Sequence, residues 1–227
     1  TAEALSRCTR ICPKKACSLC STIISMSEII CVTNRSLCGG DFLLQLEKIA
    51  AARPDRIILR EKDMDPEKYK MLANDVMSLC RKYGVKCTLH TFAEQAVQLG
   101  AESIHLPLAI LRTLSESEKR QFSEIGASCH SPADVHEAEC LGASYVTAGH
   151  VFATDCKKGL SPRGLDFLRE TVRATALPVY AIGGISAENF ADVLSAGASG
   201  ACIMSGFMRS ENPPELIKML RGENYAR

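Results

Sequence analysis

An alternation of short apolar runs with longer amphipathic segments constrains the fold of this chain more than any other feature. The runs are mostly apolar and often β-branched, as expected of strands that are buried on both faces. They predict eight strands: Ile29–Thr33, Arg56–Leu59, Lys86–Leu89, Ser103–Leu106, Ile125–Cys129, Tyr145–Ala148, Val179–Ile182 and Gly200–Met204.

The segments between these runs predict helices. Apolar side chains recur in them at helical spacing, and three of them follow a residue that can act as an N-cap, namely Asp65, Ser131 or Ser186. The predicted helices include Phe42–Ala52, Pro66–Tyr83, Pro132–Leu141 and Ala187–Ala196.

Three helix ends share one pattern, in which Leu99, Leu141 or Ala196 is followed by Gly-Ala and then by a new strand. Glycine readily adopts the left-handed conformation that ends a helix. Repeated strand–helix units of this kind predict an α/β fold, the (β/α)8 TIM barrel. The alternative is an open doubly wound sheet, which is disfavoured because no Gly-x-Gly-x-x-Gly follows the first strand.

Length and charge limit the classes of function. The 227 residues are 46% apolar and 23% charged, and we expect residues 26–227 to form a single barrel domain. A net charge of +1 provides no broad field to attract nucleic acid or an anionic membrane. No apolar run reaches the roughly 18 residues of a membrane span. Residues 1–25 lack the continuous apolar segment of a secretory signal.

The chain has 12 cysteines, which divide into two groups. Those in the body of the chain fall mostly in predicted strands or on helix faces, where a free thiol behaves as a small hydrophobe, and this favours a reduced, cytoplasmic setting. They include Cys31, Cys80, Cys87, Cys129, Cys140 and Cys202. The others, Cys8, Cys12, Cys17 and Cys20, lie in residues 1–25. They could bind a soft metal, but only one pair has good spacing, so we expect a poorly ordered or non-native leader without a metal.

Two loops of small residues follow the last two predicted strands. Gly183 and Gly184 follow the seventh strand, and Ser205 and Gly206 follow the eighth. The carboxyl ends of barrel strands carry the functional site, and glycine lets backbone N–H groups approach an anion. These four residues therefore predict a phosphate site, to which the positive ends of the following helices should contribute.

Basic residues are expected at the same end of the barrel. Arg60 and Lys62 follow the second strand in a dense charged cluster, where they could contact an anion or belong to a solvated loop. The long loop 149–159 follows the sixth strand and could be a flap that closes on a ligand through Thr154 and Lys157.

Five histidines have different expected roles. His136 falls inside a helix and should be exposed, whereas His105 falls inside a strand and should be a hydrogen-bonded core residue. His90 ends the third strand at the barrel mouth and is a candidate for ligand contact. His150 lies at the root of the flap, with no role assigned by its position. His130 directly follows the fifth strand and is a candidate acid–base catalyst, because imidazole can exchange a proton near neutral pH.

From about Glu28 to its end, the chain resembles the thiamine phosphate synthase/TenI superfamily. The flap sequence Gly149-His-Val-Phe-Ala-Thr-Asp-Cys-Lys-Lys-Gly-Leu160 with Arg163-Gly164 is similar to the TenI branch in particular. The best-studied members of that branch are thiazole tautomerases. The resemblance implies a carboxylated, phosphorylated dihydrothiazole substrate, which loses a ring proton and gains one on its exocyclic carbon to become aromatic. It also implies that His130, in Ser128-Cys-His130-Ser131, transfers the proton.

The synthase branch is the main alternative, since it couples a pyrimidine pyrophosphate to thiazole phosphate with Mg²⁺. That branch has an Asn-Asp pair at the end of strand three and a Gly-Gln-(Asp/Glu)-Asp segment after strand four. This chain has His90-Thr91 and Leu106-Pro-Leu-Ala109 at those places, so a magnesium–pyrophosphate cage is not expected. The charged cluster from Arg60 to Asp63 keeps the synthase alternative open.

The sequence thus predicts a metal-independent thiazole tautomerase with no cofactor, whose partner is a phosphorylated thiazole. A non-catalytic metabolite-sensing regulator is a further alternative, but nothing resembles a helix-turn-helix or a basic face for nucleic acid. The sequence leaves open whether copies of the chain form a homo-oligomer.

Overall fold

A closed barrel of eight parallel strands forms the centre of the molecule. The computed structural model describes residues 26–157 and 159–223. Each strand pairs with the next one in the chain, and the first pairs with the last, so the predicted TIM barrel is confirmed and the open sheet was wrong. The strands are β1 (Glu28–Val32), β2 (Arg56–Leu59), β3 (Lys86–His90), β4 (Ser103–Pro107), β5 (Glu124–Cys129), β6 (Tyr145–Gly149), β7 (Val179–Ile182) and β8 (Gly200–Ile203). The expected leader and its four cysteines lie outside the described residues.

Helices surround this barrel. In the described residues they are α1 (Phe42–Ala51), α2 (Pro66–Tyr83), α3 (Ala93–Gln98), α4 (Leu108–Leu111), α5 (Glu116–Lys119), α6 (Pro132–Cys140), α7 (Gly164–Arg173), α8 (Phe190–Ser195), α9 (Ser205–Met208) and α10 (Pro213–Leu220). Asp65 and Ser131 cap α2 and α6 as predicted, because their side chains accept backbone N–H groups of the first helical turn.

The helix after β7 begins later than the sequence indicated. It starts at Phe190 rather than Ala187, and Ser186 is not its N-cap. The Asn189 side chain instead accepts the N–H of Ser186 at 2.9 Å and donates to the carbonyl of Gly184 at 2.8 Å. The segment between β7 and α8 is therefore a loop tied to Gly184, and the positive end of α8 does not follow β7 directly.

Two apolar clusters fill the space on the two sides of the strands. The larger one lies between strands and helices and includes Ile29, Leu46, Ile57 and Phe190. The smaller one consists of Ile30, Val32, Ile58, Tyr145, Tyr180 and Cys202. The alternation of side chains along a strand accounts for this division, since Ile29 belongs to the outer cluster and Ile30 to the inner one.

The sequence analysis also made predictions about the burial of the cysteines and about membrane-spanning segments. The eight cysteines in the described range are free thiols, and four of the six expected to be buried are so. Cys87 is only partly buried, and Cys140 is exposed beside His136 on the outer face of α6. Among the described residues, no helix is both long and apolar enough to cross a membrane.

Candidate active site

A cavity of about 240 Å³ opens at the carboxyl ends of the strands. Every strand except β1 supplies residues to its wall, either from its last positions or from the loop that follows. The lining residues are Arg60, Lys62, His90, Pro107, Ser128, Cys129, His130, Thr147, Gly149, His150, Thr154, Cys156, Lys157, Ile182, Gly183, Gly184, Ile185, Cys202, Ile203, Met204 and Ser205. Nine of the ten residues expected at the site are among them, and Gly206 is not.

The backbone after β7 presents two glycines to this cavity. Gly183 and Gly184 have φ of +100° and +68°, in the region that favours glycine. The carbonyls of Ile182 and Gly183 accept N–H groups from Val151 and Phe152 at 3.0 Å. In the described chain, the N–H groups of the two glycines join no turn, loop or cap hydrogen bond. They remain available to an anion.

The loop after β8 completes this part of the wall. Ser205 lines the cavity at the first position of α9, where backbone N–H groups have no partner within the helix. Gly206 lies one residue further and does not line the cavity. A Cβ on Gly206 would lie 2.9 Å from Ile203 Cγ2, so this glycine allows α9 to pack closely against the end of β8.

The predicted flap, residues 149–159, begins after Gly149, which ends β6, and we extend it to residue 163. Its described residues lie along one side of the cavity, and the flap is fastened at both ends. The N–H of Arg163 donates to the carbonyl of His150 at 3.1 Å, next to the contacts with Ile182 and Gly183. His150 Nε2 lies 3.3 Å from the carbonyl of Leu160, to which it must donate because a carbonyl only accepts. Thr154 and Lys157 line the cavity as predicted. The structure thus assigns His150 to holding the flap.

The charged cluster after β2 separates by sign. Arg60 and Lys62 line the cavity. Glu61 is buried and accepts hydrogen bonds from Thr33 Oγ1 at 2.7 Å and from the N–H of Arg35 at 3.1 Å, while Asp63 pairs with the Arg35 guanidinium. The cluster therefore gives the cavity two cations and keeps both carboxylates outside it.

Positive charge accumulates in this wall. Partial burial lowers the pKa of Lys62, as do the nearby Arg60 and Lys157. The pKa of Lys157 is lowered by partial burial and by Arg163 and Arg60. Mutual repulsion of this kind is relieved when an anion binds among the cations.

His130 follows β5 directly and precedes the N-cap Ser131, so a two-residue connection fixes its place. Its backbone N–H donates to Asp134 Oδ2 at 2.7 Å. Its Nδ1 lies 2.9 Å from the carbonyl of Gly149 and must donate to it, because a carbonyl only accepts. The neutral imidazole therefore keeps its lone pair on Nε2, which has no hydrogen-bond partner in the described chain. This is the tautomer that a general base needs.

His90 and His105 stack below the mouth, with ring centroids 5.4 Å apart. His105 lies 2.9 Å from Ser128 Oγ and 3.2 Å from the Tyr145 hydroxyl, which confirms it as a hydrogen-bonded core residue. Burial, with the nearby charges of Arg56 and Arg60, lowers the pKa of His105 to about 3. Burial also lowers the pKa of His90, with further contributions from His105, Arg60 and Lys62. Both imidazoles are neutral at physiological pH.

Thr147, Cys129 and Cys202 also line the cavity. Sequence reasoning did not mention Thr147, and it treated the two cysteines only as small buried hydrophobes. Thr147 and Cys202 point inwards from the middle of β6 and β8. Their types are ordinary for buried strand residues, so only the inward alternation along a strand could have identified them.

Magnesium requires oxygen ligands, which this wall does not supply as carboxylates. Among the described residues, the lining contains no Asp or Glu, and no group of three or more His, Cys, Asp or Glu could hold a metal ion. Pro107 ends β4 and Leu108 follows it, while His90 ends β3 and Thr91 follows it. The residues present do not fit a magnesium–pyrophosphate cage.

The parallel eight-stranded barrel, with a basic, glycine-lined cavity at the carboxyl ends of its strands, places the chain among the TIM-barrel proteins. The family described as thiamine monophosphate synthase, TMP-TENI, matches residues 29–207, and the chain belongs to it.

Individual relatives agree with this assignment. The chain is 32% identical over 196 residues to the thiamine-phosphate synthase of Desulfitobacterium hafniense, covering 83% of this chain and 93% of that protein. It is 29% identical over 209 residues to the thiamine-phosphate synthase of a Synechocystis species. That match covers 90% of this chain but only 56% of the Synechocystis protein.

A solved structure shares the fold. Thiamine phosphate pyrophosphorylase from Pyrococcus furiosus superposes with a TM-score of 0.75 at 24% identity, covering 90% of this chain and all of that one. This likeness concerns the barrel architecture alone.

Proposed function

We propose that the protein is a thiazole tautomerase of thiamine biosynthesis, which aromatises a carboxylated dihydrothiazole phosphate without a metal. The observation that carries this proposal is the composition of the cavity wall. It combines three cations, glycine N–H groups and a histidine with a free nitrogen, and its described residues include no carboxylate. Such a wall suits a substrate that carries two anionic groups and that must lose a proton from one carbon and gain one on another.

The order of the strands suggests how the substrate lies. Gly183 and Gly184 follow β7, His90 ends β3, and these strands are opposite each other in a barrel of eight. A phosphate held after β7 and β8 leaves the other end of the molecule directed towards β2 and β3, beside Arg60 and Lys62. His130 follows β5, midway between the two ends, where the reacting carbons would lie.

The chemistry requires one group that moves a proton between two carbons. Nε2 of His130 takes the proton from the ring carbon next to the carboxylate and returns it to the exocyclic carbon. The Gly149 carbonyl orients the ring and stabilises the imidazolium formed between the two steps. Aromatisation of the ring provides the driving force.

Thiamine-phosphate synthase is the second candidate, because the relatives described above carry that name. Arg60, Lys62 and Lys157 could hold a pyrophosphate. The lack of carboxylates in the described wall argues against this reaction in its magnesium-dependent form.

One pair of assays separates the two candidates. With the carboxylated dihydrothiazole phosphate, the purified protein should accelerate formation of the aromatic thiazole above an enzyme-free control, and EDTA should have no effect. With pyrimidine pyrophosphate, thiazole phosphate and Mg²⁺, it should form no thiamine phosphate above background. EDTA-sensitive synthesis would favour the synthase. Tight binding of thiazole phosphate without either reaction would favour a metabolite-sensing regulator.

A further inference from the structure

His90 is buried in the cavity wall and held by several contacts, although the proposed mechanism assigns proton transfer to His130. Its side chain is 4% exposed. Its backbone N–H donates to the Tyr69 hydroxyl at 2.9 Å, which in turn donates to the carbonyl of Leu59 at 2.8 Å. The His105 ring stacks against it.

The next residue, Thr91, has an unusual conformation that serves this histidine. Its φ is +71°, a region that β-branched residues avoid, and such outliers concentrate at functional sites. In this conformation Thr91 Oγ1 lies 2.5 Å from His90 Nδ1, and the N–H of Thr91 donates to the carbonyl of His105 at 3.1 Å. One ring nitrogen is therefore occupied by a hydroxyl, which can donate or accept.

The other ring nitrogen, Nε2, opens to the cavity. It has no hydrogen-bond partner in the described chain, yet it is not among the fully buried side-chain atoms without a partner. His90 lines the cavity next to the cations that follow β2.

We infer that His90 acts as a neutral hydrogen-bond donor to the carboxylate of the substrate, with Thr91 as the residue that fixes its tautomer. When the carboxylate binds, the Thr91 hydroxyl donates to Nδ1, and Nε2–H donates to a carboxylate oxygen. This inference rests on the proposed function and assigns the β2–β3 side of the cavity to the carboxylate.

The donor assists the reaction because of where charge develops. Removing the ring proton next to the carboxylate leaves an electron pair that delocalises through the ring to the exocyclic carbon, where the proton is added, and also onto the carboxylate oxygens. A hydrogen-bond donor that is already in position before the reaction begins stabilises this developing charge more than it stabilises the ground state. No proton leaves His90, and the low pKa of its imidazole agrees with this role, since burial and the neighbouring cations disfavour the charged form.

Two substitutions of His90 test whether it donates or acts as a base. His90→Gln places an amide N–H near the position of Nε2, whereas His90→Leu removes every donor. Turnover should fall by about tenfold or less in His90→Gln and by about 10²-fold in His90→Leu, a range typical of a lost donor to developing charge. The acid limb of the pH–rate profile should be the same in His90→Gln as in the wild type. Equal inactivation by both substitutions would mean that a donor N–H at this position does not rescue activity and would overturn the inference, as would full activity of His90→Leu.

Calorimetry gives a readout that does not depend on turnover. His90→Leu should weaken binding of the carboxylated aromatic thiazole phosphate by about tenfold, or about 1.4 kcal/mol, and leave binding of the same compound without its carboxylate unchanged. An equal loss for both compounds, or no loss, would contradict the contact with the carboxylate. A wild-type protein that binds both compounds equally well would contradict it too. If the wild type shows this selectivity but no aromatisation, the proposed function fails and the binding assignment stands.

Two substitutions of Thr91 test the role of its hydroxyl, since one removes the hydroxyl and the other keeps it. Thr91→Val keeps the β-branched shape and removes the hydroxyl, and it should reduce turnover and carboxylate selectivity in the same direction as His90→Leu. Thr91→Ser keeps the hydroxyl and should restore both. If the two variants behave alike, the hydroxyl does not fix the tautomer.

Discussion

The assignment of proton transfer to His130 depends on which of its ring nitrogens is free. Asparagine at this position can still donate from Nδ2 to the Gly149 carbonyl, as Nδ1 does now at 2.9 Å, but it has no group equivalent to Nε2. We therefore expect His130→Asn to lower turnover by about 10²–10⁴, the usual contribution of a positioned acid–base group, with binding of thiazole phosphate nearly unchanged. Steady-state kinetics, corrected for unassisted aromatisation, measures the first effect and calorimetry the second.

His136 provides the control for this experiment. It lies on the exposed face of α6, only six residues away, with its Nε2 3.9 Å from Cys140 Sγ, and it does not line the cavity. His136→Asn should leave turnover unchanged. If His130→Asn retains most of the activity, the proton carrier is another group of the cavity, and His90 would have to be reconsidered as a base.

At the residue scale, the sequence indicated which residues lie at the candidate site better than it indicated the contacts that they make there. His130 could be selected because it directly follows a predicted strand, and position in a barrel largely determines exposure to the mouth. The environment of His90 could not be predicted, because the φ of Thr91 and the stacking of His105 depend on contacts between strands. The placement of Glu61 outside the cavity likewise depends on residues remote in sequence, because Thr33 and Arg35 donate hydrogen bonds to its carboxylate.

At the scale of elements, the flap packs closely against the loop after β7. A Cβ on Gly184 would lie 2.4 Å from the Ala153 carbonyl oxygen and 2.8 Å from Phe152 Cβ, so Gly184→Ala must displace the flap. We expect this substitution to weaken binding of thiazole phosphate by at least about tenfold, or about 1.4 kcal/mol, in calorimetry.

Gly100→Ala is the matched control for Gly184→Ala. Gly100 has φ of +63°, close to the +68° of Gly184, but a Cβ on Gly100 would meet nothing within 4 Å. Both substitutions carry the same conformational cost of about 1–2 kcal/mol in stability. Only Gly184→Ala should lose affinity. An equal effect on affinity would mean that general destabilisation, and not displacement of the flap, is responsible.

Helix bounds were predicted correctly where neighbouring residues in the sequence determine them, and incorrectly where a contact outside the helix does. The bounds of α2 were predicted correctly, because Asp65, Pro66 and Gly84 mark its ends through local chemistry. The start of α8 was wrong by three residues, because Asn189 binds Gly184 instead of allowing a helical turn from Ser186. The sequence around Ser186 and Ala187, an N-cap residue followed by a good helix former, does not reveal such a competing contact.

In the whole molecule, the end of the barrel opposite the cavity holds an ion pair between the buried Arg56 and the partly exposed Glu124. The Arg56 guanidinium joins β2 to β5 by two hydrogen bonds to the Glu124 carboxylate, at 2.6 and 3.1 Å. It also lies 4.6 Å from the centroid of the Tyr145 ring, which in turn contacts His105. Polar side chains thus run from the ion pair towards the cavity beside the apolar inner cluster, and the two ends of the barrel serve stability and binding separately.

This ion pair predicts how stability depends on pH. Burial alone would raise the pKa of Glu124, but hydrogen bonds from Arg56 and Lys86 lower it from 4.5 to about 2. Because the folded state binds the proton less tightly than the unfolded state, the stabilisation is complete above the unfolded pKa and is lost as the pH falls from about 4.5 to 2. Glu124→Gln should cost about 2–3 kcal/mol of unfolding free energy at pH 7, since it also removes the closer of the two carboxylates paired with the buried Arg56 guanidinium and leaves Glu28 at 3.8 Å.

Urea unfolding at several pH values measures this dependence. The difference between wild type and Glu124→Gln should narrow by about 1–2 kcal/mol between pH 5 and pH 3, as the wild type alone loses the contribution of the carboxylate. Glu137→Gln, which breaks the exposed pair with Arg112, should change stability little at either pH. Parallel stability curves for wild type and Glu124→Gln would contradict the prediction, because they would mean that Glu124 has the same pKa in the folded and unfolded chains. A constant difference would then be due to packing at the closed end of the barrel and not to the charge on Glu124.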